Sequence, residues 1–386
     1  MSKKNKRFAI VGAGFTGAIL ANELSGCVES IDVFEARNHI GGNCFTYRDF
    51  ETNILIHKYG PHIFHTDNEI VWNYVTRYAN FVPFINRVKS TVNGKVYSLP
   101  INLHTINQFF NKSMNPEQAL RFIDQIADKS IIEPTNFEEQ ALKFVGKDLY
   151  EAFLKGYTLK QWGIEPNLLP ASILSRLPLR FNYNDNYFSH KFQGIPEDGY
   201  TPIFEKLFDK RNIMVYLEKS FPHDLLQEYD HVFYTGPIDS WFNYSAGRLG
   251  YRTLDFVREK HSGDYQGCAV MNYGDLDVDY TRITEHKHFS TNEMHEETVI
   301  YKEYSRLADD YDDPYYPIRL INEKKLLSRY IEMAKSQSHV SFLGRLGTYR
   351  YIDMDVTISE ALDASMRIKN CLIDGKNIPV FFVDPS

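Results

Sequence analysis

A short apolar run, Phe8-Ala9-Ile10-Val11, breaks into Gly12-Ala13-Gly14-Phe15-Thr16-Gly17 and then into Ala18-Ile19-Leu20-Ala21-Asn22-Glu23-Leu24. The second run has helical spacing and stops near Gly26. This is G-x-G-x-x-G between a strand and a helix, and it constrains the chain more than any other feature. Gly12 permits a tight turn, Gly14 lets a pyrophosphate approach the backbone, and Gly17 lets helix and strand pack closely. The unpaired N–H groups at the helix start favour an anion there. Ile31-Asp32-Val33-Phe34 reads as the next strand, and Glu35 at its end stands where a carboxylate would accept ribose hydroxyls. A compact βαβ unit built to hold a dinucleotide therefore opens the chain.

The remaining composition removes other classes. Among 386 residues, Lys+Arg 43 against Asp+Glu 50 gives a net charge of −7, which disfavours a dedicated nucleic-acid binder. The length predicts more than one core. The cysteines Cys27, Cys44, Cys268 and Cys371 form no C-x-x-C pair, so neither a zinc site nor a disulfide framework is expected. No signal-peptide core and no apolar stretch of membrane-spanning length is visible, so a cytoplasmic protein without stable membrane insertion is expected.

Further along, residues 68–163 read as mostly helical, with Phe137, Ala141, Val145, Leu149 and Phe153 spaced as one apolar stripe. A small hairpin interrupts them at residues 88–99, turning at Asn93-Gly94. Residues 168–199 are rich in Pro, Asn and aromatics and read as loop. Residues 213–217 and 231–234 are further strands, and residues 252–304 alternate with period two, as in an antiparallel sheet. Helices follow at residues 324–335 and 357–367, with a strand at residues 340–343 between them. The tail Pro379-Val380-Phe381-Phe382-Val383 is a candidate edge strand or dimer contact.

Two further stretches carry a resemblance. Arg37-Asn38-His39-Ile40-Gly41-Gly42-Asn43 resembles the R-x-x-x-G-G extension of the amine-oxidase-like branch of FAD proteins, which points to FAD over nicotinamide. His57-Lys58-Tyr59-Gly60-Pro61-His62-Ile63-Phe64-His65-Thr66 offers three histidines without a carboxylate or cysteine at metal-ligand spacing, so no metal site is expected. That segment strongly resembles the bacterial UDP-galactopyranose mutase family. The match continues in order through Gly156-Tyr157-Thr158-Leu159-Lys160-Gln161-Trp162-Gly163, Arg176-Leu177-Pro178, Asn186-Tyr187-Phe188, Tyr234-Thr235-Gly236-Pro237, Tyr280-Thr281-Arg282, Pro314-Tyr315-Tyr316-Pro317 and Gly344-Arg345-Leu346.

The resemblance implies interconversion of UDP-galactopyranose and UDP-galactofuranose by ring contraction. Reduced FAD acts as covalent nucleophile without net redox change. It also implies an external reductant such as NAD(P)H, a homodimer and a place in cell-surface polysaccharide biosynthesis. The fold it implies is α/β: a Rossmann-like FAD-binding domain (1–80, 205–245, 335–386), a mainly helical domain (81–175) and an antiparallel-sheet domain (176–204, 246–334).

Carried over, the catalytic set is His62, His65, Arg176 and Arg282. FAD would meet Gly12, Gly14, Phe15, Thr16, Gly17, Glu35, Ala36, Arg37, Gly41, Gly42, Asn43, His57, Gly60, His62, Thr235, Gly236, Arg345, Tyr351, Asp353 and Met354. The UDP-sugar would meet Asn86, Phe153, Tyr157, Thr158, Trp162, Arg176, Tyr187, Asn272, Arg282, Tyr316, Tyr349 and Tyr351. The residue types suit the ligand. Tyr157 and Trp162 could form an aromatic wall for uracil or be core aromatics, and two guanidinium forks suit a diphosphate. Strand alternation would set Tyr349, Tyr351 and Asp353 on one face. A segment around Arg176 is expected to act as a lid. Three other readings stay open: a mutase also accepting UDP-N-acetylgalactosamine, an amine-oxidase-like oxidoreductase, and a silent nucleotide-sugar binder.

Overall fold

Arg7–Val11 carries apolar side chains toward both faces, as a central parallel strand must. In the computed structural model, which describes residues 5–176 and 179–386, it is the middle of a five-stranded parallel sheet. The order across the sheet is Ile213–Tyr216, Ser30–Phe34, Arg7–Val11, His231–Tyr234, Val340–Phe342. One face is covered by the helices Phe15–Leu24, Thr201–Phe208 and Met354–Asp374, against Phe8, Ile10, Ile31 and Val33. The other packs Ala9, Val232 and Phe342 against Trp241, Leu327 and Tyr330, partly from the helix Ile321–Lys335. Both faces are therefore dry, and the carboxyl ends of the strands are the open edge where ligands bind in such sheets.

The tail joins this sheet: Phe342 pairs in parallel with Phe381, and the Phe342 N–H donates to Val380 O at 2.8 Å.

A seven-stranded sheet is built on the long antiparallel pair Tyr251–Ser262 and Glu297–Leu307, flanked by Arg282–Glu285 and Val270–Tyr273. The hairpin Val88–Val92/Lys95–Leu99 turns at Asn93 (φ 49°) and Gly94 (φ 71°), as its Asn-Gly predicts. Expected within the helical region, it instead extends this sheet, with Lys89 to Thr91 parallel to Met271 to Tyr273. Phe192–Pro196 pairs with Phe64–Thr66 and Phe81–Pro83 in a separate three-stranded sheet. Pairing partners distant in sequence decided both placements.

The helical part comprises Leu103–Phe109, Pro116–Ile126, Phe137–Leu149 and Gly156–Trp162. Asn102, Asn115 and Asn136 cap the first three by accepting first-turn N–H groups. The stripe Phe137, Ala141, Val145, Leu149 and Phe153 is buried. It does not run along one unbroken α-helix. Gly146 has φ 79°, where an added Cβ would meet Ile126 O at 2.6 Å, and Tyr150–Lys155 continues as a π-helical turn. Close approach of a neighbouring backbone selects glycine there and breaks the helix.

Candidate active site

At the carboxyl end of the parallel sheet lies a cavity of about 1000 Å³. Its wall passes from the glycine turn after Arg7–Val11 to residues of the seven-stranded sheet, including Asn272, Arg282 and Glu303.

The dinucleotide end is made largely of backbone. Gly12 has φ 105°, and a Cβ there would meet Thr235 Oγ1 at 2.1 Å. At Gly17 a Cβ would meet Gly12 O at 2.0 Å, so Gly17 serves helix packing and does not line the cavity. The helix Phe15–Leu24 begins at Gly14 with no side-chain cap, leaving its first N–H groups to the cavity. A second glycine turn approaches the first: Gly41 (φ 96°) and Gly42 (φ 55°) bring a Cβ at Gly42 to 3.3 Å from Gly14 Cα. Glu35 is buried and held by the N–H groups of Ala13 (2.8 Å) and Arg37 (2.9 Å), which orient its carboxylate. Bare N–H groups, two side-chain-free turns and an oriented carboxylate fit a pyrophosphate with its ribose.

Phe15, Thr16, Ala36, Asn43, Gly236, Arg345, Tyr351, Asp353 and Met354 also line the wall, as do Gly60, His62 and His65. Two assigned residues that also line the wall have side chains bonded within the protein. The Arg37 guanidinium bonds Asp313 Oδ1 at 2.8 Å and Asn43 Oδ1 at 2.9 Å, and lies 4.4 Å over the Tyr59 ring. Thr235 Oγ1 donates to Val11 O at 2.7 Å.

Residues 60–62 stand between the two ends. His62 Nδ1 lies 2.8 Å from Gly60 O and donates to it, which leaves Nε2 as an acceptor. Burial lowers the His62 pKa to about 4, so the ring is neutral near pH 7. His65 stacks on Phe188 with ring centres 3.7 Å apart and is also held below its ordinary pKa by burial. His57, assigned to the cofactor, does not reach the cavity. It is 1% exposed and accepts the His62 N–H at Nδ1 (3.1 Å), behind the wall.

At the far end Arg282 donates from Nε to Asn272 Oδ1 (3.2 Å) and from a terminal nitrogen to Tyr157 OH (2.8 Å). Its other terminal nitrogen lies 3.6 Å from Glu303 Oε2. Burial is the largest influence on the Arg282 pKa and pulls it down, but Glu303 together with Tyr157, Tyr316 and Tyr187 outweighs it, and the guanidinium stays well above the ordinary arginine value. Asn86, Tyr187 and Tyr316 also line this end, with Tyr187 N–H donating to Asn86 O at 2.8 Å.

The proposed uracil wall stands apart from the cavity surface. Phe153 and Thr158 are buried, Trp162 packs on the helical core, and Tyr157 touches the site through Arg282. Arg176 ends the 3-10 turn Ala171–Arg176, and its side chain lies outside the described residues, as do Leu177 and Pro178.

Tyr349, expected to meet the UDP-sugar, does not line the cavity. No strand carries residues 349–353: Tyr349 has φ 49°, and Asp353 stands at the N-cap position of the helix Met354–Asp374 without a side-chain cap. The turned backbone sends Tyr349 into the core, fully buried, with its hydroxyl 2.6 Å from Gly250 O and 2.8 Å from Ile318 O. Tyr351 alone of the two lines the cavity.

Glu303 was not legible as a site residue from any motif. It is 1% exposed, and neither carboxylate oxygen has a hydrogen-bond partner among the described residues. A charge on the same strand face as buried Val299 and Tyr301 was the available signal. Lys219 and Phe221, beyond the strand Ile213–Tyr216, also line the dinucleotide end unheralded. Among the described residues, one group elsewhere has metal-like spacing: Asp264, Glu285 and His288. Two of its three side chains are already engaged: Lys287 pairs with Asp264 at 2.6 Å, and Glu285 accepts from the Tyr265 and Gln266 N–H groups and the Thr298 hydroxyl.

Fold and cavity together define a Rossmann-like dinucleotide-binding protein with an adjoining arginine-bearing chamber. A model of an NAD(P)-binding Rossmann-like domain matches residues 10–78, and the UDP-galactopyranose mutase family model matches residues 152–351. The chain belongs to the UDP-galactopyranose mutase family. It is 56% identical to a probable UDP-galactopyranose mutase of Klebsiella pneumoniae, over 98% of this chain and 99% of that one. It is 51% identical to a dTDP-fucopyranose mutase of Escherichia coli, over 94% and 98%. A crystal structure of reduced UDP-galactopyranose mutase shares the fold, with a TM-score of 0.74, 16% identity and coverage of 95% and 96%. A putative protoporphyrinogen oxidase from Exiguobacterium sp. 255-15 shares it more loosely, at a TM-score of 0.62, 13% identity and coverage of 95% and 100%. No helix among the described residues is long and apolar enough to cross a membrane.

Proposed function

We propose that the protein is an isomerase that interconverts UDP-galactopyranose and UDP-galactofuranose by ring contraction, with FAD as its cofactor. The observation that supports this is the continuity of the cavity: one space is lined by the Gly12–Gly14 turn, by His62, and by Arg282 with Glu303. When bound and reduced, FAD supplies the nucleophile toward the sugar and is returned unchanged, so no net redox occurs.

The chain's own groups have the remaining work. Gly12, Gly14, Gly41, Gly42 and Glu35 hold the dinucleotide. Arg282, oriented by Asn272 and Tyr157, stabilises the diphosphate as it leaves. By the family match Arg176 is its second cation. Asn86 Oδ1 and both Glu303 oxygens, buried without a hydrogen bond among the described residues, favour a ligand rich in hydroxyl donors, such as a sugar. His62, neutral, offers an acceptor and no charge beside the cofactor. An external reductant such as NAD(P)H, a homodimer and a cytoplasmic location belong to the same reading.

The test is incubation of purified protein with UDP-galactofuranose, with and without dithionite. UDP-galactopyranose formed only under reduction is the expected result, whereas no conversion despite a bound, reducible flavin overturns the proposal. Parallel incubations with dTDP-fucofuranose and UDP-N-acetylgalactosamine rank the nucleotide sugars. The first is included because a relative 51% identical is a dTDP-fucopyranose mutase.

A further inference from the structure

Behind residues 60–62 lie two imidazoles, one of which, His286, was not among the assigned site residues. His57 is 1% exposed and His286 0%. The His57 N–H donates to His286 Nδ1 at 3.4 Å, and the His62 N–H donates to His57 Nδ1 at 3.1 Å. The other end of the His62 residue is held too, by Tyr200 OH donating to His62 O at 3.1 Å. Its ring donates from Nδ1 to Gly60 O.

We propose that His286 is a positioning residue for His62, acting through His57: the buried pair holds the His62 backbone so that the ring presents Nε2 as an acceptor to the cavity. The inference rests on the reading that a cofactor's reactive edge meets His62.

Hydrogen-bond chemistry carries the argument. An Nδ1 that accepts an N–H bears a lone pair, so the protons of His57 and His286 sit on Nε2. Both Nε2 atoms are buried without a partner among the described residues. A buried donor left unsatisfied costs about 1–3 kcal/mol, so stability alone would favour apolar side chains at both places. What the imidazoles provide that an apolar side chain cannot is two lone pairs in series. Their surroundings keep those lone pairs free. Phe289 lies 5.0 Å from the His57 ring, Tyr301 4.6 Å from His286 and Tyr200 5.9 Å from His57. Burial holds His57 well below the ordinary histidine pKa and His286 at about 3. Neither Nδ1 becomes a donor near pH 7.

The test uses two variants and two readouts. His286→Leu removes the acceptor, and His286→Asn places an amide oxygen near the former Nδ1. In the full chain without added cofactor, amide exchange at His62 is expected to quicken by about tenfold in His286→Leu and to stay near wild type in His286→Asn. In the reduced holoenzyme kcat should fall by about fivefold in the Leu variant with KM little changed, and recover in the Asn variant. A thermal midpoint within about 5 °C of wild type is the control for folding. Equal behaviour of the two variants, unchanged exchange in His286→Leu, or faster exchange with no loss of kcat would each overturn the proposal. If the wild type shows no mutase activity, the functional reading fails, and the exchange measurement alone decides the relay.

Discussion

At the dinucleotide end of the cavity the groups that face inward are mostly backbone: the turns at Gly12, Gly14, Gly41 and Gly42 and the open first turn of Phe15–Leu24. At the other end they are side chains brought from separated segments, Asn86, Asn272, Arg282, Glu303 and Tyr316. The difference matters energetically. A backbone cradle depends on φ angles and on the absence of Cβ atoms, so it fails by steric exclusion. A side-chain chamber depends on hydrogen bonds and charge, so it fails by loss of orientation while the fold persists.

The sharpest way to separate the two ends is Arg282→Ala, expected to cut turnover by about 10²–10³-fold while flavin content stays that of wild type. Loss of flavin together with activity would erase the distinction. Arg282→Lys keeps charge beside Glu303 but loses the fork, and an intermediate rate is expected. Gly12→Ala attacks the other end. A φ of 105° costs about 1–3 kcal/mol for a side chain, before the clash with Thr235 Oγ1. Weakening of flavin binding by roughly 10–100-fold, read by absorbance titration, is the expected effect. Tyr157→Phe tests whether Arg282 needs its hydroxyl partner. A loss of about tenfold in kcat/KM, with flavin retained, is expected for one charge-assisted bond.

Tyr349 and Tyr351 form a smaller contrast within two residues. Tyr349→Phe should leave kcat/KM within about twofold but cost about 1 kcal/mol of stability, since its single O–H proton is shared between two backbone carbonyls. Tyr351→Phe should do the reverse. The smallest effect concerns pH. His57, His62 and His286 all have folded pKa values below the unfolded one, so between about pH 6.5 and 4 the unfolded chain binds more protons. Their stabilising contribution is complete above pH 6.5 and fades as pH falls. The thermal midpoint should drop between pH 7 and 5, and less steeply in His286→Asn.

Legibility in the sequence followed the same division. The G-x-G-x-x-G, Glu35 and Gly41-Gly42 are contiguous and locally determined, so their chemistry could be read directly. The Asn93-Gly94 hairpin was equally plain, because two left-handed residues suffice to turn it. Its attachment to Val270–Tyr273 was not, since that parallel pairing joins segments far apart in the chain. Tyr349 misled because alternation assumes extended backbone, and a positive φ at that residue ended it. Glu303 escaped because nothing next to it in sequence explains a buried carboxylate; Arg282, a neighbour only across the sheet, does.

By itself, then, the sequence determined the βαβ opening, the dinucleotide cradle and the family. These rest on short-range backbone geometry and on the order of motifs. Only the tertiary structure decided which tyrosine faces the cavity, which histidines stand behind His62, and that a buried glutamate without a hydrogen bond to its carboxylate among the described residues faces Arg282. Those are outcomes of packing between distant strands, where one register places a side chain in solvent, in the core or against a ligand.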